Sequence, residues 1–189
     1  RREELEIRVF YTWHAGERAV LDRGFQTPVA WDIPLTEGYD VELVPNVARD
    51  PGTHQFFGLR NPSLLGQLRA WRPDVVHVTG WAWWSHFQLL RKLHRLSVPV
   101  LFRGDSHLLG GPWRGPRWWT KRALLTRVFS WPTEFLFVGQ ANRRYFEAFG
   151  VEESRLRYCP PSIDVGRFAE PADRLDREAS EWRRDLGIP

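Results

Sequence analysis

The chain has 189 residues, 42% of them hydrophobic and 14% aromatic, a composition that is typical of a packed globular protein and excludes a disordered segment. Its formal charge is +4, and its 27 basic residues, 25 of them arginine, occur in ones and twos, which argues against a nucleic-acid-binding protein. Cys159 is the only cysteine, so no internal disulfide can form and a reducing, cytoplasmic compartment is expected. No apolar run approaches the roughly 20 residues that span a bilayer, and no signal peptide is recognisable.

Short apolar runs alternate with segments of helical periodicity along most of the chain. Strands are predicted at residues 7–11, 39–44, 74–78, 98–102, 134–138 and 155–159. A first helix is predicted to begin at Asn61-Pro62, with Asn61 as its cap, and to end before Pro73. Further helices are predicted at residues 87–96, 118–128, 140–149 and 174–186. Residues 12–38 are rich in Gly and Pro and only weakly periodic, so no element is predicted there.

This order of elements predicts the fold class. From residue 61 onward strands and helices alternate, and several strands are continuous apolar runs rather than alternating ones. Both features indicate a parallel sheet that is buried on its two faces. The expected fold is therefore α/β, a Rossmann-like parallel sheet with helices on both faces.

Each predicted strand from residue 74 onward is followed by Gly or Pro and by side chains that form hydrogen bonds. Ligands of open α/β sheets bind outside the carboxyl ends of the strands, so these loops are expected to line one rim of a cleft. The residues that follow the strands are Thr79, Gly80 and Trp81; Arg103, Gly104, Asp105, Ser106 and His107; Gly139, Gln140 and Asn142; and Pro160 to Asp164.

Most of these residues also have a purely structural interpretation. His77 lies within an apolar strand, where a core histidine with satisfied hydrogen bonds is the simpler reading. Asp105 and Ser106 suit the cap of a turn or helix. Arg103 cannot be neutralised and needs a carboxylate, a phosphate or exposed space, so Asp105 and a sugar or phosphate ligand are alternative partners. Trp81 is either a core residue or a platform for a sugar ring.

Gly139 is expected at a tight strand-to-helix turn whose backbone N–H groups suit an anion or polar group.

The absence of several motifs argues against common types of site. The sequence contains no G-x-G-x-x-G after a strand, no Walker A lysine motif, no H-E-x-x-H, no cysteine pair and no G-x-S-x-G. Dinucleotide, P-loop and zinc sites are therefore not indicated, and no metal is expected. Both ends have the composition of chain interiors, so the sequence is expected to be a fragment.

Several stretches, in this order and spacing, resemble the N-terminal domain of glycosyltransferase family 4, a group of retaining sugar transferases with two Rossmann domains (the GT-B fold). They are WDIPLTEGYDVEL, RPDVVHVTGW, FRGDSHLL, FLFVGQANRRYFEAFGVEESRLRYCPPSIDVGRF and RRDLGIP. The resemblance covers nearly the whole chain. Two motifs depart from the usual pattern: H-x-H reads His77-Val78-Thr79, and P-N-G-V-D reads Pro160-Pro161-Ser162-Ile163-Asp164.

The resemblance implies positions for the site residues and assigns none of them a catalytic role. It places the rim on the acceptor side of the cleft, and it places Asp164 and Phe168 at the start of a hinge. The residues that it assigns to acceptor or cleft binding are His77, Thr79, Gly80, Trp81, Arg103, Gly104, Asp105, Ser106, His107, Gly139, Gln140 and Asn142.

The resemblance also implies a domain organisation and an activity. Residues 1–168 would form the acceptor-side domain without its first strand, and residues 169–189 would lead to a C-terminal donor-binding domain outside this chain. The parent protein would be a retaining glycosyltransferase of the hexosyltransferase type in glycan or polysaccharide biosynthesis, and this chain alone would be inactive. Its donor substrate would be a nucleotide sugar, bound mainly by the C-terminal domain, and no cofactor is implied.

The expected acceptor is a sugar, a lipid-linked sugar or a small molecule, and nucleic acid is not an expected partner. The resemblance leaves room for peripheral association with the inner face of a membrane. The alternatives are one half of an enzyme related to nucleotide-sugar epimerases and a non-catalytic binding or assembly module.

Overall fold

A computed structural model of the chain describes residues 5–13, 20–22, 27–29, 36–109, 115–163, 165–166 and 172–188. The strands in these ranges are β1 (Arg8–Tyr11), β2 (Val20–Asp22), β3 (Thr27–Val29), β4 (Asp40–Leu43), β5 (Val76–Thr79), β6 (Val100–Arg103), β7 (Glu134–Phe137) and β8 (Leu156–Tyr158). The helices are α1 (Leu64–Trp71), α2 (Trp84–Arg95), α3 (Pro116–Phe129), α4 (Gln140–Ala148) and α5 (Ala172–Asp185).

The strands form three sheets. Strands β5, β6, β7 and β8 pair in parallel in that order, and β1 pairs in parallel with β4. Strands β2 and β3 form a small antiparallel pair. The parallel sheets with their crossover helices confirm the predicted α/β, Rossmann-like fold, although in the described residues the crossover helices of the four-stranded sheet cover one of its faces rather than both.

One face of the four-stranded sheet packs against the crossover helices. Phe102 and Phe135 point to that face, and their rings contact Phe129 of α3 and Phe146 of α4 with centroid distances between 5.0 and 6.2 Å. Parallel strands need such crossovers, and their constant handedness places successive helices on the same side. The buried members of this face are Val76, Val78, Val100, Phe102, Phe135, Phe137 and Leu156.

Asn61 does not cap the helix as predicted. Helix α1 begins at Leu64, three residues later, after Ser63, and no side chain caps its first turn. The buried Asn61 amide instead donates to the carbonyl oxygens of Thr12, Val44 and Pro45, at 3.0 to 3.1 Å. Asn61 therefore joins the segments that follow β1 and β4, a role that depends on tertiary contacts.

The predicted strands and helices agree with the structure to within a few residues at each end. The weakly periodic stretch 12–38 is the exception, because it contains β2 and β3. Each of these strands has only three residues, too short to show a period.

The chain divides into two compact units, Arg1–Tyr158 and Cys159–Pro189. Helix α5 belongs to the second unit, and its described side chains are exposed. The predicted hinge residues Asp164 and Phe168 lie outside the described residues. Among the described residues, no helix is both long enough and apolar enough to cross a membrane.

Candidate functional site

The carboxyl ends of β5 and β6 lie side by side. Thr79 is the register partner of Arg103, and the N–H of Gly80 donates to the carbonyl oxygen of Arg103 at 2.8 Å. The two predicted loops therefore leave the sheet at the same level, as ligand-binding loops of a parallel sheet do.

His77 lies on the more exposed face of this sheet and is not a core residue. The burial of β5 alternates, with Val76 and Val78 buried and His77 and Thr79 exposed. Partial burial lowers the pKa of His77, and the nearby positive charge of Arg103 lowers it further. The imidazole therefore favours its neutral form, which can both donate and accept a hydrogen bond.

Arg103 does not pair with Asp105. Among the described residues, no ion pair or hydrogen bond to either side chain is found. Arg103 is half-buried at the end of β6, whereas Asp105, Ser106 and His107 are exposed in the following loop. The structure thus provides a cation and a carboxylate at the rim that are both available to a ligand.

The loop that follows β6 is attached to α4 by Asn142. The side-chain oxygen of Asn142 accepts from the N–H of Val138 at 3.1 Å, and its amide donates to the carbonyl oxygen of Ser106 at 2.8 Å. Asn142 is only 3% exposed. The Asn142 side chain therefore holds the loop that carries Asp105 in place and does not face a cleft.

The remaining predicted glycines differ in their backbone demands. Gly80 has a φ of 75°, and a Cβ at this position would lie 3.0 Å from the ring of Trp83. Gly139 is extended, with a φ of 179°, and a Cβ there would meet no heavy atom within 4 Å. The turn at Gly80 thus requires a glycine. Gly139, directly before the exposed Gln140 of α4, could carry a side chain without a clash.

Trp81 and Gly104 lie at the base of the rim. The indole of Trp81 is half-buried against the hydrophobic core. Gly104 is half-buried beside the ring of Phe102. A Cβ added at Gly104 would lie 3.5 Å from the nearest atom of that ring. The structural interpretation of Trp81 as a packing residue agrees with this position.

A groove of about 730 Å³ separates β1 from β5. Its lining is mostly apolar, from Ile7 and Val9 on one side to Val76 and Val78 on the other, and it also includes His77 and Thr79. Tyr11, the last residue of β1, also lines the groove, and its hydroxyl group lies 2.6 Å from that of Tyr39. Burial, together with this contact, raises the pKa of Tyr11 to about 12, so its hydroxyl stays protonated near neutral pH.

A comparison with known protein families identifies the family to which the chain belongs. The family model described as Glycosyltransferase Family 4 matches residues 6–167, which include every strand of the two parallel sheets and the whole rim. The chain belongs to glycosyltransferase family 4. No curated protein matches it.

In this family 4 chain, sequence reasoning missed His86. Its Nδ1 lies 3.0 Å from the carbonyl oxygen of Thr79, and its Nε2 lies 2.9 Å from Oγ1 of Thr12. Because a carbonyl oxygen only accepts, Nδ1 carries the proton and Nε2 accepts from the Thr12 hydroxyl. Burial lowers the pKa of His86, partly opposed by hydrogen bonds with the backbone of Thr79 and Gly80.

His86 thereby joins the ends of β1 and β5, the two strands that border the groove. No signal in the sequence points to it, because Thr12 lies 74 residues away along the chain. The predicted rim residues come together as two neighbouring sets, one at the ends of β5 and β6 and one where Asn142 joins the β6 loop to α4. Among the described residues, no cluster of His, Cys, Asp or Glu side chains is arranged to hold a metal ion.

Proposed function

We propose that this chain is the acceptor-side half of a retaining glycosyltransferase that moves a sugar from a nucleotide-sugar donor to an acceptor hydroxyl. One observation carries the proposal: Thr79 and Arg103, at the carboxyl ends of adjacent parallel strands, hold polar groups at one rim in a family 4 chain. This is the position at which open parallel sheets bind ligands.

The rim offers the groups that an acceptor needs. The hydroxyl of Thr79 and the neutral imidazole of His77 suit hydroxyl groups of a sugar, since both can donate and accept. The guanidinium of Arg103 suits an acceptor that carries a carboxylate or phosphate. Holding the acceptor hydroxyl in line with the anomeric carbon is the contribution that this half makes to the rate.

The other requirements belong to a donor-binding domain. The leaving diphosphate must be stabilised by positive charge, and closure of the two domains must keep water from the reaction. In this proposal residues 1–168 form the acceptor-side domain and residues 169–189 lead to the donor-binding domain, with Asp164 and Phe168 near the hinge. The parent enzyme would be a hexosyltransferase of glycan or polysaccharide biosynthesis in the cytoplasm, and the isolated chain would not transfer sugar.

We also propose that the groove between β1 and β5 accepts one further parallel strand, the first strand of the domain. In a strand, successive peptide groups point to opposite edges. The N–H of Gly80 donates to Arg103 of β6, and the carbonyl oxygen of Tyr11 accepts from the N–H of Val44, directly after β4. The peptide groups of Thr79 and His77 on one side, and of Phe10 and Arg8 on the other, therefore point into the groove. Among the described residues, no backbone hydrogen bond joins β1 to β5.

The experiment is a transfer assay on the natural polypeptide that contains this chain together with its donor-binding domain. A panel of nucleotide sugars is incubated with soluble sugar acceptors, and the anomeric configuration of the product is read by proton NMR. The proposal predicts a glycoside with the configuration of the donor. An inverted product, or interconversion of the nucleotide sugar without transfer, would contradict it, and the latter would favour an epimerase-like enzyme.

A further inference from the structure

The basic residues of this chain are concentrated in one part of the sequence. Between Val75 and Thr133 the chain contains nine of the 27 Lys and Arg residues and only one of the 23 Asp and Glu residues, Asp105. The remainder of the chain has 18 basic and 22 acidic residues, so the net positive charge of the protein comes entirely from this segment. Along the sequence these basic residues occur in ones and twos, but helices α2 and α3 bring several of them together.

A groove of about 420 Å³ between α2 and α3 has a cationic rim. Arg91 and Arg95 of α2 and Arg127 of α3 line it, and all three are exposed. Among the described residues, no ion pair or hydrogen bond involves the guanidinium group of any of these three arginines, although the backbone carbonyl of Arg127 accepts from the Ser130 hydroxyl. Their charge is therefore not compensated by a carboxylate of the described chain.

The floor and border of the same groove are apolar. Phe87, Val128 and Trp131 lie below the arginines, and Leu124 beside them is 47% exposed. The groove thus combines uncompensated cations with apolar side chains that face water.

The apolar part continues beyond the groove as a row of aromatic rings. The ring of Phe87 lies 5.3 Å from that of Trp131 and is stacked on Trp84 at 6.4 Å. Trp84 in turn contacts Phe57 at 5.7 Å, and Phe57 is 57% exposed. Aromatic rings next to basic side chains on the outer surface of a helix are the composition of proteins that lie in the interface of a bilayer.

We propose that this surface, the α2–α3 face defined by Phe57, Trp84, Leu124, Arg91, Arg95 and Arg127, binds the surface of a membrane that contains anionic lipids. The arginines contact phosphate groups of the lipids, while Phe57 and Leu124 enter the boundary between headgroups and acyl chains. Charge complementarity selects this occupant, and the exposed aliphatic side chain of Leu124 suits acyl chains better than stacked bases. The proposal goes beyond the transferase chemistry and does not depend on it.

The test is co-sedimentation of the 189-residue chain with vesicles of phosphatidylcholine that contain about 30% phosphatidylglycerol, at about 0.1 M salt. Vesicles of pure phosphatidylcholine are the lipid control. The test variant carries Arg91→Glu, Arg95→Glu and Arg127→Glu, and circular dichroism checks that it is folded. The matched control carries the same charge change at Arg49→Glu, Arg69→Glu and Arg144→Glu, three exposed positions outside this face.

The expected result is binding to the anionic vesicles alone, weakened by salt, and reduced at least about tenfold by the test variant but less than about twofold by the control. A second variant, Phe57→Ser with Leu124→Ser, keeps all charges and is expected to reduce binding as well. Equal binding to neutral vesicles, equal loss in both charge variants, or no vesicle binding would overturn the proposal. Binding of a single-stranded oligonucleotide through the same arginines, without vesicle binding, would also overturn it. Transfer to a soluble acceptor is measured separately, so failure here leaves the proposed function intact.

Discussion

At the scale of single residues, two histidines that line the groove, His77 and His86, link stability to pH. Both His77 and His86 have a lowered pKa, mainly because of burial. In the unfolded chain a histidine titrates near pH 6.5, so below that pH the unfolded state binds more protons than the folded one. The contribution of these two histidines to the free energy of unfolding is therefore fully present above about pH 6.5 and is lost as the pH decreases below that value.

We expect the free energy of unfolding to be lower at about pH 5.5 than at about pH 7.5, with part of the difference due to His86. Urea unfolding at both values measures it in the wild-type chain and in His86→Gln. Glutamine does not titrate, so the variant is expected to lose less stability on acidification. The same pH dependence in the variant and in the wild type would show that folding does not lower the pKa of His86, which would contradict this account.

Gly80 offers a second test at this scale, because its turn requires a backbone conformation that L side chains rarely adopt. Gly80→Ala is expected to lower the free energy of unfolding by roughly 1–2 kcal/mol, since it adds a left-handed alanine close to the ring of Trp83. Gly66→Ala in α1 is the matched control. Its Cβ would meet nothing within 4 Å, so it should raise stability by about 0.5–1 kcal/mol. A similar effect of both changes in urea unfolding would contradict the account of Gly80.

At the scale of elements, the apolar strands and the helices between them were predictable, but the tertiary partners of polar side chains in the connecting segments were not. A run such as residues 98–102 places Val100 and Phe102 on the buried face whatever its neighbours are. Asn61, by contrast, has the composition of a helix cap in the sequence but binds carbonyl groups 16 to 49 residues away. Local sequence determines which segments are strands, whereas the partners of a buried amide depend on the packed structure.

The proposed first strand makes a prediction about β1 and β5. In the present chain the amides of His77 and Thr79 point into the groove, so they are expected to exchange with deuterium faster than the amides of β7, which is paired on both edges. In a longer polypeptide that supplies the proposed strand, exchange at His77 and Thr79 should be slower, and that at β7 should not change. Mass spectrometry of the exchanged peptides measures both. Unchanged exchange in β5 would mean that no strand enters the groove.

At the scale of the whole molecule, one general rule predicted most of the candidate site. Because ligands bind at the carboxyl ends of parallel strands, the residues after β5 and β6 could be grouped from the sequence, and the register of Thr79 with Arg103 confirms that these two ends adjoin. The rule did not distinguish exposed Asp105 from buried Asn142, because burial depends on how the loop folds back on α4. It also did not find His86, whose partners are Thr12, directly after β1, and Thr79 of β5.

The proposed function requires that this rim binds the acceptor and not the donor. The most direct measurement is a comparison of Michaelis constants for acceptor and donor in the full-length enzyme, for Arg103→Met and for the matched control Arg69→Met at an exposed position of α1. A hydrogen bond to a charged group is worth about 1.5–3 kcal/mol, so Arg103→Met should raise the KM for an anionic acceptor about tenfold or more. The KM for the donor, and both constants in the control, should stay within about twofold. A rise in the donor KM with an unchanged acceptor KM would contradict the claim.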